Sequence, residues 1–514
     1  VTSPRTATGP AAGQAAPVVL RNVRLGSGGP LAHLVVDGGR IAALTPASAT
    51  APAASSAAGE GVDAEGRTVL PGLWDAHVHM VQWASARRRV DLSGAASAAA
   101  AARVMAGAAR TARLPADEPL IGFGFRDGLW PDRPEPGLLA WSEPAGRPVA
   151  LVSNDLHTAW LNRPALRRLG AADHPTGVLR EAECLDAVAR LGAADPATVD
   201  RWVADAARAA AARGVVGLID FEYADNLADW TRRAAHAPLD LRVTCAVYPA
   251  HLDDAVARGL RTGDVLQDTG GLVRVGPLKL FVDGSLNTRT ALCNEPYPGM
   301  PAGGQEYGLL QTEPAELERL MGHAARHGIH SAVHAIGDRA NTIALDAFER
   351  TRCAGRIEHA QLIDRSDLPR FARPGLVLGI QPAHAADDRD IADHHWAGRT
   401  DRSFAYAELA RAGARLEIGS DAPVAPLDPW VGIAAAVHRT GPDGRPGWHP
   451  EQAIALPDAL AAAAAGRAGL RVGDRADLVV TEDDPGRAAP RGLAGMGVFC
   501  TMLGGRFTHR ADEA

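Results

Sequence analysis

The strongest constraint in this sequence is a long alternation of short apolar runs with Ala-rich helical stretches through its middle. Eight runs read as strands: 68–75, 215–221, 241–247, 273–283, 330–334, 356–359, 376–381 and 416–421. Such alternation is the pattern of βα units, in which helices connect parallel strands. Eight such units predict an α/β fold of the TIM (β/α)8 type, with its chemistry at the C-terminal strand ends.

Both termini read as β-structure outside this pattern. Residues 18–23 form a strand and 33–44 a hairpin with Asp37-Gly38-Gly39 at its turn, while 476–481 and 497–507 are short strands at the other end. The expected plan is a disordered tail (1–17), a β-sandwich domain from 18–70 with 471–514, and the barrel over 71–470. Roughly 140 residues separate the first two barrel strands, far more than one helix needs. The segment 86–196 is therefore read as an insertion over the barrel mouth, with strands of its own near 120–125 and 148–152. The run 461–475 is short, which leaves the last barrel helix without an evident segment.

Charge and composition exclude several function classes. The net charge is -7, and the only dense basic run is Arg87-Arg88-Arg89, so a nucleic-acid partner is not expected. No stretch is apolar for long enough to cross a bilayer. Five dispersed cysteines, without CxxC spacing, read as reduced core thiols and point to the cytoplasm. No GxSxG elbow or GxGxxG loop occurs, which removes the serine-hydrolase and dinucleotide readings. The oligomeric state is left open, a homo-oligomer included.

Chemistry gathers at the strand ends. The first strand ends in Asp75-Ala76-His77-Val78-His79, and residues two apart on a strand share a face. Two neutral imidazoles make half a zinc site, although HxH alone fits ordinary core or surface histidines equally well. His334 ends the fifth strand, Glu358-His359 the sixth and Gly419-Ser420-Asp421 the eighth. Four histidines and an aspartate at four strand ends are a far more specific signal than any one motif. Among 53 basic side chains there is a single lysine, Lys279, in the fourth strand. Its ammonium has only donors and cannot bind a metal, but its neutral amine can add carbon dioxide to form a carbamate that ligates like a carboxylate; arginine cannot replace it there. The alternative is a lysine of no special role.

Further segments carry a family likeness: 155–162 (DLHTAWLN), 177–181 (GVLRE), 283–291 (DGSLNTRTA), 334–341 (HAIGDRAN), 356–361 (RIEHAQ), Gln381-Pro382 and 419–423 (GSDAP). With the strand-end residues, they make the chain resemble the amidohydrolase superfamily, in the branch of N-substituted formamide deformylase, from residue 18 to 507. The resemblance implies a barrel flanked by a sandwich from both termini and a centre of two divalent ions, zinc being the expected metal. It implies His77, His79 and Asp421 on one ion, His334 and His359 on the second, and carbamylated Lys279 as the bridge. The implied activity is hydrolysis of a carbon–nitrogen bond in a small N-substituted amide or formamide by metal-activated hydroxide. Asp421 is the expected proton shuttle. Asp75, Asp338 and Glu358 are expected to orient imidazoles. Trp130, His157, Arg180 and Arg289 match branch motif positions and are expected either to line the substrate pocket or to tie the insertion to the barrel. Two rival readings remain: a one-metal deaminase or cyclic-amide hydrolase of the same superfamily, and an inactive binding protein on the same fold.

Overall fold

Strands buried on both faces pair in parallel because the helices that connect them must cover the sheet from outside. The computed structural model describes residues 17–48, 60–111, 118–192, 194–301 and 303–511. Eight strands form the barrel in chain order: β1 (Leu73–Val78), β2 (Val215–Asp220), β3 (Arg242–Val247), β4 (Val273–Phe281), β5 (Ser331–Ala335), β6 (Gly355–His359), β7 (Leu376–Ile380) and β8 (Leu416–Ile418). Each pairs with the next in parallel. The ring closes just beyond β8, where Ala422 bridges Val78. The Asp421 amide donates to the His77 carbonyl at 2.8 Å, and the His79 amide to the Ala422 carbonyl at 2.9 Å. Closure of the barrel therefore sets Asp421 against both histidines of the first strand.

The first strand differs from its sequence reading. Thr68–Pro71 belongs to a second sheet, and the barrel strand begins at Leu73. Gly72 lies between them, pressed on β2: a Cβ there would fall 2.4 Å from Val216 Cγ1. That second, mixed sheet joins strands from both termini, including Val18–Leu25 and Thr68–Pro71 from one end and Leu478–Thr481 and Val498–Leu503 from the other. Its hairpin turns at Gly38 and Gly39, both in the left-handed region (φ 54° and 76°), as a type I′ turn demands. Residues 1–16 of the tail expected over 1–17 lie outside the described residues.

The segment after β1 contains a five-stranded sheet ordered Val178–Arg180, Thr158–Leu161, Val149–Ser153, Leu120–Phe125, Val90–Asp91. Alternation along its central strand packs Val149 and Leu151 into one apolar cluster and Ala150 into another, so both faces are covered. Three links hold this unit over the mouth. The Asn154 amide donates to the Val424 carbonyl at 3.2 Å, Arg126 pairs with Asp387 at 3.2 Å, and Asn287 donates to Asp155. The doubt over the last barrel helix is resolved: helices Pro429–His438 and Leu456–Ala462 both precede the short run, and Trp430 and Ile433 bury the first of them.

Candidate metal centre

β1 sends His77 into the barrel, where its Nδ1 lies 2.6 Å from Glu358 Oε2 at the end of β6. Arg356, two residues earlier on the same strand, clamps Glu358, pairs with Glu417 at 2.8 Å and donates to the Ala76 carbonyl at 3.3 Å. A carboxylate held this way only accepts, so Nδ1 of His77 carries the proton and Nε2 offers a lone pair. That Nε2 is 3.6 Å from Asp421 Oδ1, and His79 Nε2 is 3.4 Å from the same oxygen. On the other side, His384 Nε2 is 4.0 Å from Asp421 Oδ2. Two groups result, His77–His79–Asp421 and His359–His384–Asp421, each with its ligand atoms within 4.8 Å of one another. Asp421 is common to both. It and His359 sit at φ 59° and 78°, a left-handed backbone that costs on the order of 1–3 kcal/mol and is characteristic of functional positions.

Electrostatics prepares these groups to bind a cation. Burial, reinforced by the charge of Lys279, pushes His77 down to about 4 and His334 down to about 3; burial then His334 holds His359 well below its ordinary value. These imidazoles are neutral at neutral pH. Burial alone would discharge Asp421, but the imidazoles of His77, His79 and His359 hold it well below the usual carboxylate range. For His79, burial works downward and Asp421 outweighs it. His79 Nδ1, His359 Nδ1 and His384 Nε2 are buried and make no hydrogen bond. The orphaned His384 Nε2, facing the ionised Asp421 carboxylate, suits a divalent cation with a taste for nitrogen and oxygen, as zinc has.

Lys279 is buried inside the barrel, its Nζ 3.5 Å from His77 Nε2 and over the rings of Phe221 (4.5 Å) and Phe281 (5.0 Å). Burial pushes it down to about 8, against the pull of Glu358 and Asp421. Among the described residues it forms no ion pair with a carboxylate. His334 stands apart from both groups: its Nε2 donates to the Gly284 carbonyl at 3.1 Å, and its ring meets the His359 ring edge-on at 4.5 Å between centroids. His384, which the sequence reading passed over, takes the place beside His359 and Asp421. It sits in the helix Pro382–Asp387 that follows β7, four residues past the strand end.

The supporting carboxylates divide. Glu358 touches an imidazole, whereas Asp75 Oδ1 accepts from the backbone amides of His77 (3.1 Å) and Ser420 (2.8 Å), stapling β1 to the end of β8. Asp338 holds Arg402 at 2.7 Å and the Asn294 amide at 2.8 Å, away from the imidazoles. His157, Arg180 and Arg289 line one cavity of about 380 Å³. Trp130 does not line it; its indole donates to the Ala95 carbonyl at 2.9 Å and stacks on Phe125, within the core of the insertion.

Comparison with known proteins is consistent with this geometry. The amidohydrolase family model Amidohydro_3 matches residues 60–509, most of the chain. The chain belongs to the amidohydrolase family. Among curated relatives of this amidohydrolase, N-substituted formamide deformylase of Arthrobacter pascens is 27% identical over 529 residues, covering 92% of this chain and 94% of that protein. The putative amidohydrolase YtcJ of Bacillus subtilis (strain 168) is 26% identical over 498 residues, covering 88% and 90%. A crystal structure of an uncharacterized metal-dependent hydrolase from Pyrococcus horikoshii OT3 superposes with a TM-score of 0.76 at 26% identity, over 92% of this chain and 99% of that one. No helix among the described residues is long and apolar enough to cross a membrane.

Proposed function

We propose that this amidohydrolase cleaves a carbon–nitrogen bond in a small N-substituted amide or formamide, with two divalent ions, zinc foremost, at the barrel mouth. The observation that carries the reading is Asp421 standing between two sets of imidazoles. His77, His79 and Asp421 would hold one ion. His359 would hold the second, joined by His384, as the geometry favours, or by His334, as the family likeness suggests. When bound, the ions would supply a Lewis acid for the scissile carbonyl and a water acidic enough to attack at neutral pH.

The chain's own groups do the rest. Asp421, kept ionised at neutral pH, accepts the proton of the attacking water and returns it to the leaving amine nitrogen. Glu358, backed by Arg356, fixes the His77 tautomer. The Lys279 amine, lowered to about 8, adds carbon dioxide at nitrogen, releases one proton and becomes a carbamate with two oxygens able to bridge. Resemblance to the deformylase supports the substrate class, and five buried cysteines held as thiols support a cytoplasmic setting.

The test is amine release from a panel of N-substituted formamides, acyl amides, cyclic ureas and aminated heterocycles. Turnover of the linear amides, abolished by chelation and restored by zinc, is the expected result. Reaction only with cyclic ureas or aminated heterocycles would move the assignment to the one-metal branch of the family.

A further inference from the structure

A cavity of about 380 Å³ is walled by three separate segments: the insertion (Asp127, Asp155, His157, Arg180), the loop after β4 (Asn287 to Arg289) and the helix Arg389–His395. It lies at the same end of the barrel as Asp421, since Asn154, next to Asp155, bonds the carbonyl of Val424, three residues past Asp421.

Its charges do not balance internally. Asp155 is consumed by the Ser153 hydroxyl (2.5 Å), the His157 amide (3.1 Å) and the Asn287 side chain. Asp390 pairs with Arg445 at 2.7 Å. Burial pushes the Asp127 carboxyl up and Asp155 adds to that; Arg180 pulls it down without offsetting the rise, and forms no ion pair with it. Facing them, the guanidiniums of Arg180 and Arg289 make no hydrogen bond or ion pair with any described residue. The positive field registers on His395: burial first, then His394 and Arg289, push it down to about 4. Arg289 is also held at φ 59°, in the left-handed region.

Arginine presents a planar fork of donors matched to carboxylate-like oxoanions, and two unpaired forks in one polar cavity make a receptor for such a group. We propose that the substrate carries an anionic group, a carboxylate or similar oxoanion, which Arg180 and Arg289 bind while its amide faces Asp421. This rests on the hydrolytic reading above and narrows it from N-substituted amides at large to those bearing a negative charge at the far end.

Two measurements test it. The first compares a series of ω-formamidoalkanoates of increasing length with the matching carboxamides. Wild-type enzyme should prefer the carboxylate at one or more lengths, and Arg180→Gln or Arg289→Gln should lower that preference about 10- to 100-fold, the worth of one charged hydrogen bond. Arg289→Lys should recover part of it, and thermal unfolding checks that each variant is folded. The second measures binding of butane-1-sulfonate to the protein as purified, with butyramide as the neutral control, by calorimetry. Sulfonate is a weak metal ligand, so its binding reports the arginines whether or not any amide is hydrolysed. Arg-dependent sulfonate binding without turnover of any formamide would uphold the anion subsite and sink the hydrolytic reading. Turnover with no preference for the carboxylate and no sulfonate heat overturns the subsite alone. A preference that survives both arginine substitutions also overturns it, since the anion would then bind elsewhere.

Discussion

At the scale of single residues, Asp421 carries two duties, ligand and base, and these separate in Asp421→Asn. The amide keeps an oxygen for a metal but loses the basicity, so kcat should fall about 10²- to 10⁴-fold while the fold and much of the metal persist. An unchanged kcat in a metal-loaded Asn variant would show that another group moves the proton. Lys279 gives a sharper case. Lys279→Arg keeps charge and length but cannot form a carbamate, so it should lose the second ion and nearly all activity; Lys279→Ala should be partly rescued by short carboxylic acids. Only the neutral amine reacts, and it titrates at about 8. At fixed dissolved carbon dioxide, the initial rate of carbamate formation, followed by carbon-13 NMR with labelled bicarbonate, should therefore climb about tenfold per pH unit up to pH 8 and then level off. A flat profile would return Lys279 to ordinary status. His384 against His334 is the third: the geometry predicts that His384→Ala loses the second ion by elemental analysis, and that His334→Ala retains more of it. His77, His79 and Asp421 were legible in the sequence because strand alternation and strand ends dictate where they point. His384 was not, because a residue on the helix after a strand has its direction set by packing, which no local pattern reveals.

At the scale of elements, the barrel strands are more than a scaffold, since their close spacing selects the residues between ligands. Gly379 on β7 faces the Arg356–Glu358 pair of β6; a Cβ there would lie 2.2 Å from Glu358 Oε2 and 2.6 Å from Arg356 Nη2. Gly379→Ala must push the carboxylate off His77. Overpacking of this kind costs about 1–3 kcal/mol, and a lost imidazole partner weakens metal affinity about 10- to 100-fold. The expected variant unfolds at lower temperature and binds zinc measurably more weakly in a competition assay with a chelating dye. Wild-type affinity in a folded Gly379→Ala would mean that Glu358 does not orient His77. The eight strand runs were readable because short β-type runs alternate with helical stretches, the pattern of βα units. The first was misplaced at its start because Thr68–Pro71 is equally apolar, and only pairing with Leu478–Thr481 assigns it to the other sheet. The short run 461–475 misled in the opposite direction: the covering helices lie upstream, where Ala-rich sequence on both sides hides their boundaries.

At the scale of the whole molecule, the proposed ions would be structural as well as catalytic, because their ligands come from β1, β6 and the segments after β7 and β8. The seam between β8 and β1 is the one place where the barrel is joined by a single bridge and a few loop hydrogen bonds in place of a strand ladder. A cation held by His77, His79 and Asp421 would span that seam. An ion present at a hundred times its dissociation constant stabilises the native state by about 2.7 kcal/mol, so two give about 5 kcal/mol. For a chain of 514 residues the unfolding entropy is about 1 kcal/mol per kelvin, and chelation should lower Tm by about 5 °C. The loss should also be local. Hydrogen exchange followed by mass spectrometry should speed up in β1, in β8 and in the loop carrying Asp421, while the sheet built from the two termini, which contributes no ligand, keeps its protection. Lys279→Arg, if it keeps one ion, should show about half the Tm effect yet retain seam protection, since the ion on His77, His79 and Asp421 is the one that spans it. Chelation that leaves both Tm and seam exchange unchanged would separate the ions from the fold and count against the ligand set itself.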